Sequence, residues 1–264
     1  MIGVLTAGLN VLAEADATGQ QVLTDARAAF YNARFDHAAA LTLDPCAAGD
    51  VDACELRSAA LLMEIKRAIG DAKDKDKAFK ACEECQGLLD AFLRDTARGQ
   101  IAARARLKTD PSDEAVQFLL GKLDLNYVWL QLGTLGHKTG WDEYWEARHT
   151  LDAILKKNPQ HVRAKVARAW IDYIVDTRMP RGTRWVLGGG NKKRAMVALR
   201  EAARAETDVY TSAEARFGLW DVLVREKSFP EAIALAQELA RDFPANTDLP
   251  KFLEEHAPVS KARE

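Results

Sequence analysis

The sequence lacks the patterns that mark β-sheets, membrane spans and common active sites. No stretch alternates Val, Ile or Thr with polar residues between hairpin turns, as half-buried strands do. No run inside the chain approaches the roughly 20 apolar residues needed to span a bilayer. Gly-x-Ser-x-Gly and His-Glu-x-x-His motifs are absent. We therefore expect a helical, non-enzymatic protein with no cofactor and no transmembrane segment.

An excess of charge of either sign is also lacking. The 264 residues include 37 Lys and Arg against 39 Asp and Glu, which gives a formal net charge of −2. This balance gives no reason to expect nucleic acid or an anionic membrane as a partner. The apolar fraction of 48% can furnish a sizeable core, so global disorder is not expected.

Cysteine is scarce. The four cysteines fall in two close pairs, Cys46 with Cys54 and Cys82 with Cys85. An even number suits disulfides in an oxidising compartment and also occurs by chance, so pairing and redox state stay open. A bridge between Cys46 and Cys54 would contribute about 2.5 kcal/mol in the chain-entropy model. A zinc site on all four is disfavoured, because the spacing of the first pair is unlike common zinc modules.

The N-terminus leaves the compartment undecided. Residues 2–13 are apolar except for Thr6 and Asn10, and small residues that follow could serve as a cleavage site. A secretory signal also needs a basic first segment, whereas the first basic residue is Arg27. Residues 1–20 are thus predicted to be the remnant of a signal segment or a flexible N-terminus. The periplasm or cell envelope is slightly favoured over the cytoplasm.

Helical patterns run almost from end to end. Ala, Leu, Arg, Glu and Lys dominate, and apolar residues recur at helical spacing. We expect one helical-repeat domain over residues 21–257 and a disordered tail over 258–264. Asp44-Pro45 and Gly99 are predicted helix ends. Helices are predicted at 21–34, 36–43, 54–69, 78–97, 101–108, 114–132, 141–157, 161–177, 191–206, 212–225, 230–242 and 251–256.

One spacing occurs twice. An aromatic residue, a small residue three positions later, apolar residues at helical period and a closing proline recur at equal offsets: Tyr144, Ala147, Leu151, Ile154, Pro159 and Phe229, Ala232, Ala236, Leu239, Pro244. Self-similarity of this kind marks repeats in which each helical hairpin buries its apolar face against a neighbour.

The spacing resembles that of tetratricopeptide repeats. In the last unit Leu219 and Leu223 match the first helix of the repeat, and Phe229, Ala232, Leu239 and Pro244 match the second. The stretch 187–194 is similar to divergent bacterial members of that family. The clearest units lie within residues 114–246. The resemblance implies an all-α, right-handed α-solenoid of helical hairpins with insertions, a protein-binding role and no catalytic residues.

The first candidate site is aromatic. Trp141, Trp145 and Arg148 lie on neighbouring turns of one predicted helix, and Trp170 and Tyr173 lie on the next. Trp, Tyr and Arg anchor interfaces because they combine a large apolar area with a polar group. These five residues are the candidate contacts for a protein or peptide partner. The alternative is that the aromatic rings fill the core between adjacent helices.

The second candidate site is basic. Between residues 177 and 200 there is no Asp or Glu, and we name residues 178–194 the basic insert. Three glycines and the predicted N-cap Asn191 precede a helix that begins with cations, an arrangement that could bind phosphate or an acidic peptide. Asp172 and Asp176 could instead neutralise the cluster. The candidate anion-binding residues are Arg178, Arg181, Arg184, Lys192, Lys193 and Arg194.

Two functions are compatible with these features. The first is a non-catalytic adaptor or scaffold that binds a protein or peptide through tetratricopeptide-like repeats. The alternative is a small-ligand-binding or transporter-associated protein of the bacterial envelope, with a cavity lined by aromatic and Arg side chains. The identity of the partner and the oligomeric state stay open.

Overall fold

The computed structural model describes residues 19–256, and within this range all regular secondary structure is helical. The prediction of an all-α chain is confirmed there. None of the described helices combines the length and the apolar character that crossing a bilayer requires. The predictions of a signal remnant and of a disordered tail concern residues that lie largely outside the described range.

The described chain divides into two compact units. The first contains residues 19–30 and 34–147, and the second contains residues 31–33 and 148–256.

The first unit contains seven α-helices and the beginning of an eighth among its described residues. After α7 the chain continues as a π-helical turn, Trp129–Leu135. The helices are α1 (19–31), α2 (Phe35–Leu41), α3 (Leu43–Ala47), α4 (Val51–Ile69), α5 (Lys75–Ala81), α6 (Cys85–Thr109), α7 (Glu114–Val128) and α8 (Trp141–Lys157), of which residues 141–147 belong to this unit.

The second unit begins with the rest of α8. A short 3-10 turn, Arg184–Leu187, interrupts the connection between its second and third helices. The helices that follow α8 are α9 (Val162–Arg178), α10 (Lys192–Ala203), α11 (Val209–Arg225), α12 (Phe229–Asp242) and α13 (Asp248–His256).

Short polar side chains begin many of these helices. Asp113 accepts a hydrogen bond from the Val116 N–H at 3.0 Å, and Asn191 accepts one from the Arg194 N–H at 2.9 Å. Each bond satisfies a backbone donor that the first helical turn leaves without a partner. The cap at Asn191 was predicted from the sequence.

The repeated spacing consists of buried positions. Tyr144, Ala147, Leu151 and Ile154 of α8 are buried, as are Ala232, Ala236 and Leu239 of α12. Pro159 and Pro244 are exposed and follow the ends of these two helices. The periodicity thus marks the buried apolar positions of each helix.

A buried ion pair joins three helices of the first unit. The Arg57 Nε of α4 lies 2.7 Å from the Asp95 Oδ2 of α6, and Arg57 Nη1 donates to the Ala39 carbonyl of α2. Burial raises the pKa of Asp95, but hydrogen bonds from Arg57 and Arg94 outweigh this effect and hold the pKa below its ordinary value. Asp95 therefore stays ionised, and removing either partner would strand a buried charge.

Both close cysteine pairs form disulfides. Cys46 of α3 is bonded to Cys54 of α4, and Cys82 is bonded to Cys85, the first residue of α6. Cys46, Cys54 and Cys85 are fully buried, whereas Cys82 is partly exposed. The pairing that the sequence left open is therefore between neighbours.

Two predicted helix ends are wrong. Gly99 does not end a helix but lies inside α6, which is continuous over both predicted segments. A Cβ at this position would lie 2.7 Å from the Cys54 Cβ and 2.9 Å from the Leu123 Cδ1, so the glycine permits close approach of helices. Pro45 lies within the first turn of α3. Backbone N–H groups of a first turn have no intrahelical acceptor, so a proline, which lacks this group, is tolerated there.

We predict opposite effects for alanine at two glycines of α6. Gly99→Ala should lower the free energy of unfolding by about 1–3 kcal/mol, because the added methyl group meets Cys54, which its disulfide holds in place. Gly87→Ala should raise it by about 0.5 kcal/mol, because nothing beyond the helix's own backbone would lie within 4 Å of the added methyl group and alanine is the better helix former. Chemical denaturation of both variants checks this, and a stabilised Gly99→Ala variant would contradict the packing described.

Candidate functional site

The basic insert has an ordered backbone. The Gly188 N–H donates to the Trp185 carbonyl at 3.0 Å, and the Gly189 N–H donates to the Arg184 carbonyl at 2.8 Å. Gly188 and Gly189 adopt φ values of +73° and +72°, a region that glycine enters without strain. Arg148 Nη2 donates to the Gly188 carbonyl at 2.6 Å. These bonds fix the turn that carries Trp185.

The insert then lies directly against α9. A Cβ at Gly190 would lie 2.6 Å from the Asp172 carbonyl oxygen and 2.6 Å from the Asp176 backbone nitrogen. Any side chain at this position would therefore separate the insert from α9. The third glycine of the triplet thus has a packing role.

Two carboxylates of α9 neutralise part of the insert. Asp176 pairs with the Arg184 guanidinium, and its Oδ2 accepts the Lys192 backbone N–H at 2.8 Å. Asp172 Oδ2 accepts from Arg194 Nη2 at 2.7 Å, and its Oδ1 lies 2.7 Å from Arg168 Nη1. The prediction that Asp172 and Asp176 neutralise the cluster is confirmed for Arg184 and Arg194.

A third carboxylate joins the basic and aromatic candidates. Lys192 Nζ donates to Glu226 Oε2 at 2.7 Å, and the Tyr173 hydroxyl donates to Glu226 Oε1 at 2.9 Å. The Lys192 hydrogen bond lowers the pKa of Glu226. Burial, and then Glu226, raise the pKa of Tyr173 to about 12. Lys192 and Tyr173 therefore serve one internal network.

The other half of the insert remains on the surface. Arg178, Arg181 and Lys193 are exposed and form no ion pair with any residue of the range 19–256. On the 3-10 turn of the same segment, Trp185 is 77% exposed and Val186 is 52% exposed. We name these five residues the exposed tip. Trp185 and Val186 were not among the candidates predicted from the sequence. The feature that could have indicated them is a pair of apolar residues within a segment that contains no Asp or Glu.

The five aromatic-site candidates have different environments. Trp141 is 42% exposed, and Trp145 is half-buried with its ring centroid 5.3 Å from that of Tyr144. Both belong to the first unit, whereas Arg148, Trp170 and Tyr173 belong to the second.

Arg148 and Tyr173 have roles within the fold of the second unit. Arg148 is buried against Gly188, and Tyr173 is only 3% exposed. The Trp170 ring lies edge-on to Tyr173 at 5.7 Å, with the Arg225 guanidinium 5.6 Å from a Trp170 ring centroid. Of these three, Trp170 keeps some exposure for a partner.

A buried carboxyl group in the first unit was also missed. Asp124 of α7 is fully buried, and its Oδ1 accepts from Gln100 Nε2 at 2.7 Å. Arg104 Nη2 lies 3.8 Å from this oxygen but hydrogen-bonds to Glu146, while Asp124 Oδ2 has no hydrogen-bond partner among the described residues. Burial, and then the charge of Glu146, raise the pKa of Asp124 to about 8.

Asp124 is completely enclosed by the protein. Its side chain has no exposed surface through which a substrate could reach it. In the described part of the chain no group of three or more His, Cys, Asp or Glu side chains is arranged to hold a metal ion. Asp124 could have been noticed in the sequence as an acid between Leu123 and Leu125 in a strongly apolar helix.

We predict that Tyr173 behaves as a core residue. Tyr173→Ala should lower the free energy of unfolding by about 3–5 kcal/mol, because it removes a buried ring. Tyr173→Phe should lower it by only about 1 kcal/mol, because Glu226 keeps its bond to Lys192. Chemical denaturation separates the two variants, and a Tyr173→Ala variant as stable as the natural chain would assign the ring to a surface groove.

We predict that Asp124 makes stability depend on pH. The native state retains its proton up to a pKa of about 8, whereas the unfolded chain releases it near 3.9, so the native state binds more protons in between. The contribution of the protonated carboxyl to the free energy of unfolding is complete below about pH 4 and is lost as pH rises toward 8. Between these values the free energy of unfolding falls by at most about 1.4 kcal/mol per pH unit.

Asp124→Asn should remove this slope, because asparagine keeps an acceptor for Gln100 and carries no charge. The measurement is the difference in unfolding free energy between the natural chain and the variant at about pH 5, 7 and 9. A difference that is the same at all three values would contradict the burial of an ionisable group here.

Comparisons with protein-family models, with curated proteins and with solved structures give no match to this chain. Function is therefore inferred from the geometry of the two units.

Proposed function

We propose that this chain is a non-catalytic adaptor, built from tetratricopeptide-like helical hairpins, that binds an acidic segment of a partner protein through the exposed tip. Trp185 and Val186 supply the apolar contact, and Arg178, Arg181 and Lys193 supply the charge. The buried faces of α8 and α12, with their shared spacing, support the repeat-like part of this proposal.

The exposure of Trp185 is the observation that carries the proposal. A tryptophan that is 77% exposed leaves a large apolar area in water, which costs free energy that burial would recover. Its turn is held by hydrogen bonds at Gly188 and Gly189, so the ring is presented on an ordered backbone. A partner that covers the ring loses little free energy in ordering this segment. Trp and Arg are also among the residues enriched at binding hot spots.

The charges of the tip favour an acidic partner. The carboxylates of Asp172, Asp176 and Glu226 are engaged with Arg194, Arg184 and Lys192. The cations of the tip have no such partner within residues 19–256. Complementary Asp or Glu side chains on a partner would steer its approach and fix its register.

The two disulfides support a location in an oxidising compartment, because disulfide bonds are rare in proteins of reducing compartments. This agrees with the preference for the periplasm or cell envelope drawn from the sequence. It leaves the adaptor role unchanged.

Photo-cross-linking tests the proposal. A benzophenone amino acid replaces Trp185 in one preparation and Val209 in another, because Val209 is also well exposed in the second unit, at 67%. Cells that express each chain are irradiated, and the adducts are identified by mass spectrometry. We expect an acidic protein to be captured from position 185 and not from position 209.

The captured protein then allows a quantitative prediction. Trp185→Ala should weaken its binding by about 30-fold or more, the effect of losing a hot spot of about 2 kcal/mol, while Val209→Ala leaves it unchanged. Arg178→Glu with Arg181→Glu should mainly slow association, whereas Lys108→Glu, an exposed charge reversal in the first unit, should not. Calorimetry and surface plasmon resonance measure these effects. Unchanged binding of the Trp185→Ala variant would contradict the proposed site.

A further inference from the structure

The two disulfides of the first unit differ in their access to solvent. Both cysteines of the Cys46–Cys54 bond are fully buried, as is Cys85. Cys82 is the one cysteine with partial exposure. A thiolate must reach a disulfide sulfur to exchange with it, so only the Cys82–Cys85 bond offers a point of attack in the folded chain.

The Cys82–Cys85 bond also holds an element that packing holds weakly. Cys82 directly follows α5, and Cys85 is the first residue of α6. The seven residues of α5 include no buried side chain, and its Lys80–Asp76 ion pair lies on the surface. The disulfide is therefore a covalent tether for α5, whereas α6 is anchored by buried residues such as Phe92 and Asp95.

We infer that Cys82–Cys85 is a thiol–disulfide exchange site, which oxidises a dithiol of a partner protein and releases α5 when it is reduced. This inference is independent of the exposed tip, and because each chain reacts once and is not reoxidised in this exchange, it is compatible with a non-catalytic adaptor.

The exchange takes place in two balanced steps. A partner thiolate attacks Cys82 Sγ and forms a mixed disulfide, while the Cys82–Cys85 bond breaks and Cys85 leaves as a thiolate that takes up a proton from water. The second thiol of the partner, after losing its proton, attacks the mixed disulfide and expels Cys82 as a thiolate, which is then protonated. The partner dithiol is oxidised to a disulfide by two electrons, and the Cys82–Cys85 disulfide is reduced to two thiols.

The position of Cys85 suits it to be the leaving group. It is the first residue of α6, a helix of 25 residues whose first turn contains no acidic residue. The partial positive charge at such a helix start favours a thiolate and offsets part of the cost that burial of Cys85 and the neighbouring Glu84 impose on it, and a more stable thiolate leaves faster. Glu83 and Glu84 are exposed between the two cysteines, so a partner dithiol on a basic surface is favoured.

The Cys46–Cys54 bond is an internal control. It links α3 to α4 inside the core of the same unit, where Cys46 Sγ lies 3.8 Å from the Asp95 carbonyl oxygen. An external thiol can reach it only after the unit opens. A difference between the reduction rates of the two disulfides in the folded chain therefore reports how accessible each bond is, and both rates are measured in the same molecule.

The first test measures the reduction of both bonds in the intact oxidised chain. Dithiothreitol, a small dithiol, is added under native conditions, and samples are quenched with acid, alkylated and analysed by mass spectrometry. We expect Cys82–Cys85 to open at least about tenfold faster than Cys46–Cys54. Equal rates, or faster opening of Cys46–Cys54, would overturn the inference.

The same samples report on the release of α5. After selective reduction of Cys82–Cys85, hydrogen exchange should become faster at the amides of α5 and stay unchanged in α4. Unchanged exchange in α5 would overturn its release.

The second test identifies the attacked sulfur with a pair of matched variants. Cys85→Ser leaves Cys82 as a single thiol at this site, and Cys82→Ser leaves Cys85. With oxidised glutathione, we expect a mixed disulfide at Cys82 in the first variant and none at Cys85 in the second. Circular dichroism confirms that both variants keep their helices. Modification of Cys85 at an equal rate, or of neither residue, would overturn the assigned roles.

Discussion

Three carboxylates determine where the basic insert of the second unit lies. Asp172 and Asp176 come from α9 and Glu226 directly follows α11, and together they engage Arg194, Arg184 and Lys192. Asp172 is buried, and a buried charge is tolerated only when it is paired and hydrogen-bonded. The fold of the insert thus depends on matching its cations to these acids.

This constraint separates the cations that maintain the fold from those available to a partner. If a cation that neutralises an internal acid instead bound an incoming anion, its carboxylate would be left without a counter-charge. Arg178, Arg181 and Lys193 form no ion pair within the described residues. The Trp185 side chain is mostly exposed, so it adds little to the core. The first unit uses the same principle differently, since Arg57 and Asp95 are both buried and form a purely internal connection. Partner binding is therefore inferred at the exposed tip.

Much of the helical pattern follows from the sequence, because periodic apolar residues and local caps act over a few residues. The bounds of α8 agree with prediction, and Asn191 caps α10 as expected. Gly99 and Pro45 were misjudged, because their roles depend on packing and on position within a turn. Tyr173 and Trp185 are both aromatic residues near charges, yet one is buried and the other exposed. Asp124 was missed because its burial depends on neighbouring helices.

Amide hydrogen exchange tests most directly whether the carboxylates of α9 hold the insert that displays Trp185. The Lys192 N–H donates to Asp176 Oδ2, and the Gly189 N–H donates to the Arg184 carbonyl, so both should be protected in the native chain. Asp176→Ala should abolish this protection while the amides of α12 stay protected. Glu255→Ala, which removes an exposed acid of α13, should leave both amides unchanged. Fast exchange of Gly189 and Lys192 in the natural chain would contradict an ordered insert.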